Sequence, residues 1–111
     1  MTIDDIYLKI SQHIVDTIDA KWAVAIINSE IHVGAGHFNC VYKEDVSADV
    51  DYDFDSSFEL FEAFESLHKI TTEGGENNWN RAKFTLYSTG KFNIEFEWDQ
   101  VLADEIESYS K

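Results

Sequence analysis

Proline is missing from this chain of 111 residues, and cysteine occurs once, at Cys40. Without proline no stiff Pro-rich linker divides the chain, and its length suits one domain spanning residues 1–111. A lone cysteine excludes an intramolecular disulfide, which fits a reducing compartment. The N-terminal Met1-Thr-Ile-Asp-Asp5 has neither the basic region nor the apolar run of a secretory signal. The longest apolar run, Trp22 to Ile27, is far too short to cross a bilayer. Together these absences predict a cytoplasmic protein. Basic residues are also few, 8 Lys and Arg against 22 Asp and Glu, for a formal charge of −14. That balance argues against direct binding to nucleic acid or anionic membranes, both of which reward Lys and Arg. It is compatible with a strongly basic protein partner, and equally with a charge that serves only solubility.

Signatures of chemistry are as scarce as basic charge. His13, His32, His37 and His68 show neither an HExxH motif nor a Cys/His zinc spacing. Cys40 has no candidate base close in sequence and reads as a small core residue. Gly74-Gly75 alone is no phosphate loop. Carboxylate pairs are numerous, as 22 acids in one short chain require. The sequence therefore assigns no catalytic residue, no cofactor and no metal ligand. One stretch offers an alternative. Asp51, Asp53, Asp55, Glu59 and Glu62 fall at positions 1, 3, 5, 9 and 12 of an EF-hand loop, with apolar Phe58 at position 8. Against calcium, Ser56 stands at the sixth position, where that loop needs glycine, and the residues before Asp51 alternate with period two instead of forming a helix.

What the sequence does contain is best specified near the C-terminal end, from Arg81 to Trp98. Ala82, Phe84 and Leu86 alternate with polar residues, and so do Phe92, Ile94, Phe96 and Trp98, the pattern of half-buried strands. A two-residue loop at Thr89-Gly90 would put the two apolar faces on opposite sides of the sheet. A three-residue loop Ser88-Thr89-Gly90 pairs Leu86 with Phe92, Phe84 with Ile94 and Ala82 with Phe96. It also places Gly90 where a type I turn plus G1 bulge needs a left-handed residue. Lys83 then faces Glu95 and Arg81 faces Glu97, pairs that contribute roughly 0.2–1 kcal/mol each.

The rest of the chain supplies the partners of that hairpin. Ile3, Ile6, Tyr7, Ile10, Ile14 and Ile18 form one helical stripe, with Thr2 as N-cap and Asp4 and Asp5 in the first turn. His13 borders the stripe. Trp22 to Ile27 reads as a central strand that extends toward Ile31 and Val33. Gly34-Ala-Gly36 signals a turn, and His37 to Tyr42 alternates again, giving a second hairpin. Val46, Ala48, Val50, Tyr52 and Phe54 alternate with Asp45, Ser47, Asp49, Asp51, Asp53 and Asp55, predicting an edge strand with a row of carboxylates on its solvent face. Ser56 and Glu59 match a capping box that opens a helix running to about Ile70, with Phe58, Leu60, Phe61, Phe64 and Leu67 buried. Thr71 to Asn78 reads as a loop. Asp99 caps a last helix carrying Leu102, Ile106 and Tyr109 on one side. The order α-β-β-β-α-β-β-α, with strands arriving as hairpins, predicts an α+β domain: an antiparallel sheet with helices packed on it.

The segment from Glu73 to Asp99 resembles the signature of the YezG-like antitoxin or immunity proteins of bacteria. The resemblance rests on Trp79, on Phe84-Thr-Leu86, on Gly90-Lys-Phe92 and on the acidic, aromatic strand ending at Trp98-Asp99. The order of elements before it is similar as well. The resemblance implies a small cytoplasmic protein that binds a cognate toxin domain and blocks it, the toxin commonly being a nuclease from a polymorphic or contact-dependent growth-inhibition system. The motif residues read as fold determinants and leave the contact surface open. Charge supplies a candidate. From Glu44 to Leu67 there are nine acidic residues and no basic one, and a nuclease presents a basic surface to phosphates. The expected toxin-binding residues are Asp49, Asp51, Tyr52, Asp53, Asp55, Glu59, Glu62 and Glu65, with Trp79 as a further anchor if exposed. The sequence leaves the oligomeric state open, with a monomer favoured over a dimer through an exposed edge strand. The competing readings are the calcium module at residues 51–62 and a general acidic chaperone or nucleic-acid mimic for basic proteins.

Overall fold

A stripe of isoleucines sets the first element. The computed structural model, which describes residues 2–32, 35–73 and 78–109, places helix α1 at Ile3–Thr17, with Ile6, Ile10 and Ile14 fully buried. Its start is fixed by a reciprocal cap. The Asp5 amide donates to the Thr2 hydroxyl, and the Thr2 amide donates to the Asp5 carboxylate, both at 3.2 Å. These bonds satisfy two amides that a helix end would otherwise leave without partners. They also hold the Asp5 carboxyl below the usual carboxylate range, the Thr2 amide foremost and the Thr2 hydroxyl next.

Strands β1 (Val24–His32), β2 (Ala35–Lys43) and β3 (Tyr52–Asp53) follow, then helix α2 (Phe58–Thr72), strands β4 (Arg81–Tyr87) and β5 (Phe92–Glu97), and helix α3 (Gln100–Tyr109). This is the order α-β-β-β-α-β-β-α that the sequence predicts. The five strands form one antiparallel sheet in the spatial order β3-β2-β1-β4-β5. The apolar run of β1 lies at its centre. Ala25, Ile27 and Ile31 point to the helix side, where they meet α1 and α2 together with Phe84 and Leu86 of β4. Burying the Ile, Phe and Leu side chains stabilises by about 1.5–3 kcal/mol each.

The β4–β5 hairpin has the predicted register at every position, from Arg81 opposite Glu97 to Leu86 opposite Phe92. The Tyr87 amide donates to the Lys91 carbonyl and the Gly90 amide to the Tyr87 carbonyl, at 2.8 and 2.9 Å. Gly90 has a φ of +95°, the left-handed conformation the bulge requires. One detail differs. The Arg81 guanidinium bonds Glu30 of β1 and the Asp99 carboxylate instead of Glu97.

Other expectations are corrected. The acidic alternation from Asp45 to Asp55 yields only two paired residues, Tyr52 and Asp53, on the outer edge of β2. Local bonds win over the ladder here. Asp45 accepts from the Ser47 amide and hydroxyl, both at 3.0 Å, and the Ala48 amide donates to the Asp45 carbonyl. Asp side chains compete with sheet bonding in this way. Gly36 is a strand residue opposite Ile31, with the Phe61 ring close above it. Val33 and Gly34 lie outside the described residues. Helix α2 is capped by Ser57, whose hydroxyl accepts from Leu60 N at 3.1 Å, one residue later than predicted. That shift makes Phe58 the first helical residue and leaves it 69% exposed, while Leu60, Ala63, Phe64 and Leu67 are buried. The helix continues through Thr71 and Thr72, whose hydroxyls donate to the carbonyls of Leu67 and His68. The remainder of the predicted loop, residues 74–77, is outside the described residues, as is the side chain of Tyr109.

Trp79 is buried at 2% exposure and joins α2 to the hairpin. Its indole N–H donates to the Thr71 hydroxyl at 2.7 Å, and its carbonyl lies 2.8 Å from His68 Nε2. The Asp99 cap of α3 is as predicted, its carboxylate accepting from Leu102 N at 3.1 Å.

Candidate functional site

The acidic segment between β2 and α2 gathers at one end of the sheet. All eight residues expected to meet a partner are exposed: Asp49, Asp51, Tyr52, Asp53, Asp55, Glu59, Glu62 and Glu65. The structure sorts them into two groups and two outliers. Asp51, Tyr52 and Asp53 form the edge group. Asp51 lies 3.5 Å from Lys43 Nζ, and the Tyr52 ring stacks on Tyr42 with centroids 5.4 Å apart. Because strand side chains alternate, Tyr52 lies on the helix side of the sheet and its two acidic neighbours on the other.

The second group lines a cleft of about 650 Å³ between α1 and α2, where Asp55, Glu59 and Glu62 face Lys9, His13 and Asp16. Asp55 is held there by its backbone. Its carbonyl is 2.8 Å from His13 Nε2, and the Ser57 hydroxyl is 3.4 Å from His13 Nδ1. His13 thus ties the start of α2 to α1. Asp49 sits apart in the irregular segment after β2. Glu65 is on α2 but outside the cleft, because successive three-residue steps fall short of a full helical turn.

The field of this pole reaches the core. The Cys40 thiol is pushed up to about 11, first by burial and then by Asp53 and Asp55. A thiol so shifted stays protonated, as the reading of Cys40 as a core residue requires. Trp79, the conditional anchor, is buried and unavailable. Phe58 was missed as a surface residue because the cap moved by one position. It lies beside Phe61, centroids 6.1 Å apart, near exposed Tyr52 and Val50 in the chain. The contribution of Asp16 and Lys9 to the cleft was also missed. Only the packing of α1 against α2 brings them there, and nothing local in the sequence signals it.

The EF-hand reading does not survive this geometry. Residues 44–51 form bends and turns and residues 52–53 a strand, where that motif needs an incoming helix. Asp55 and Glu59 are turned toward the cleft and Asp53 toward the opposite face of the sheet. Among the described residues no three His, Cys, Asp or Glu side chains are placed to share a metal ion. No helix of the described residues is long and apolar enough to cross a membrane.

Comparison with known proteins places these elements in a wider group. Residues 3–111, covering every element from α1 to α3, match the family model described as immunity protein YezG-like. The immunity protein YezG of Bacillus subtilis is 24% identical over 123 residues, spanning 98% of this chain and 82% of that protein. The immunity protein YezG of Bacillus spizizenii is 27% identical over 118 residues, spanning 92% and 72%.

Proposed function

The chain belongs to the YezG-like immunity protein family, and on that premise we propose that it neutralises a cognate toxin domain by binding it through the acidic pole. The toxin is a basic domain, best a nuclease, and inhibition is stoichiometric rather than catalytic. One observation carries the choice of surface: Asp49, Asp51, Asp53, Asp55, Glu59, Glu62 and Glu65 are all exposed, with Lys43 the ion-pair partner of Asp51 alone.

A nuclease gathers Lys and Arg to hold phosphates, and a fixed array of carboxylates competes for that surface. Long-range attraction raises the association rate by 10-fold or more, and the gain falls with salt. Affinity needs apolar anchors as well. Tyr52 at 42% and Phe58 at 69% exposure stand beside the carboxylates and supply them.

The test is co-expression with a candidate toxin encoded beside this gene. The wild-type chain protects cells from that toxin and from no unrelated one. The triple variant D53K/E59K/E62K folds but loses protection, and its association rate in a binding assay drops at low salt. Protection that survives the triple reversal places the contact elsewhere. A general acidic chaperone behaves differently, binding many basic proteins weakly and releasing them all as salt is added.

A further inference from the structure

We propose that the free edge of β5 is a self-association surface, on which a second copy of this chain adds its own β5 antiparallel and joins the two sheets. The inference is independent of the toxin-binding reading, since it concerns the opposite end of the molecule.

Strand β5 closes the sheet among the described residues, with β4 on one side only. The ladder shows which of its backbone groups are free. The Tyr87 amide donates to the Lys91 carbonyl at 2.8 Å and the Asn80 amide to the Glu97 carbonyl at 3.1 Å. Antiparallel pairs alternate strictly, so the odd-numbered residues of β5 turn toward β4. Phe92, Ile94 and Phe96 therefore direct their N–H and C=O groups outward. Among the described residues no strand pairs with this edge. Asp99 exchanges bonds with Asn80 and accepts from Arg81, which turns the start of α3 toward β4 and β1.

The outward residues fit a two-fold axis through Ile94. In that register Ile94 faces Ile94 of the second copy once, on the axis, while Phe92 faces Phe96 and Lys91 faces Glu97 twice each. The hydrogen-bonded positions are the even-numbered ones, as the ladder requires. Phe92 packs inward on Tyr7 and Phe84, and Phe96 on Trp79, yet they remain 47% and 41% exposed. The second copy covers those bare ring surfaces.

Charge selects a second copy over other occupants. Between Arg81 and Asp99 three basic residues, Arg81, Lys83 and Lys91, balance Glu95, Glu97 and Asp99. That stretch is neutral, while the acidic pole lies beyond β3 at the far edge. In the joined sheet the two acidic poles sit roughly 40 Å apart at ordinary strand spacing, several Debye lengths at physiological salt.

Analytical ultracentrifugation of the full chain from micromolar to near-millimolar concentration tests this. The expected result is a reversible species of twice the 12.8 kDa chain mass. Ile94→Pro removes an outward N–H without touching the β4 ladder and abolishes the dimer. Lys91→Glu and Glu97→Lys each raise the dimer Kd roughly tenfold, and the double variant, with the pair reversed, restores it. A chain that stays monomeric throughout overturns the proposal, and so does a dimer indifferent to all of these changes. A double variant that melts like the parent but fails to recover the dimer overturns the register and the proposal with it. A monomer whose β5 amides gain exchange protection only against a strand of another protein assigns the edge to that protein instead.

Discussion

The two edges of the sheet are built on opposite principles. At β5 the strand is regular, its aromatic side chains lean on core rings, and acids and bases balance. At β3 only Tyr52 and Asp53 pair, the flanking chain makes its own turns, and from Glu44 to Leu67 acids stand without a base. Yet both stretches alternate apolar and polar residues with period two. Alternation marks a strand only when its apolar members have something to cover. Phe92 and Phe96 have Tyr7 and Trp79 beneath them, whereas Val46 and Val50 are 63% and 57% exposed. Repeated Asp then tips the balance, because its side chain satisfies nearby amides that the ladder would otherwise use.

Geometry at the neutral edge is fixed by its turn, so the sharpest blow to that side of the contrast falls on Gly90. No atom lies within 4 Å of a Cβ built there, and the φ of +95° is the whole constraint. Gly90→Ala should cost about 1–2 kcal/mol, the penalty of a left-handed L-residue, read as a lower midpoint in urea denaturation with unchanged slope. A neutral result would mean that the turn does not hold the hairpin in register.

A second test separates the edges by pH. At the β5 end, the Asp99 carboxyl is held below its ordinary value of 3.8, foremost by the Leu102 amide and then by Arg81. A depressed folded-state value stabilises the protein fully above the unfolded-state value, and the gain is lost as pH falls through the folded one. Arg81→Ala removes the second cause and leaves the cap. The Asp99 carboxyl titration, followed by NMR, should move up toward 3.8 without reaching it. The acid limb of the melting curve should move to higher pH with it. A titration unchanged by the substitution would show that the cap alone sets the carboxyl.

Sequence and structure agree where several constraints point the same way. Loop length, apolar face and glycine position together leave one register for β4 and β5, and the structure has it. The isoleucine stripe and the caps at Thr2 and Asp99 were legible for the same reason, since each is a local pattern with one satisfactory solution. The start of α2 was not, because Ser56 and Ser57 are both competent caps. Ser57 also meets His13 of α1, a contact that exists only in the folded chain. The composition of the acidic pole could be read in advance. Its division into an edge group and a cleft could not, since the cleft exists only once α1 packs on α2.

The smallest expected effect on stability bears most on what the contrast means. Asp53→Lys, Glu59→Lys and Glu62→Lys alter exposed side chains for which the structure shows no ion pair, and such surface changes usually stay within about 0.5 kcal/mol. Reversal at Asp53 and Glu62 also relieves repulsion among neighbouring carboxylates, so the sign there should favour the fold slightly, and more so at low ionic strength, whereas Glu59→Lys gives up a favourable charge in the first turn of α2. Thermal melts of the single and triple variants at two salt concentrations measure this directly. Melting points equal to or above that of the parent, together with lost toxin binding, would mean that the carboxylates are retained for a partner. A triple variant destabilised by more than about 1 kcal/mol would instead make the pole a part of the folding framework. The two edges would then differ in composition but not in purpose.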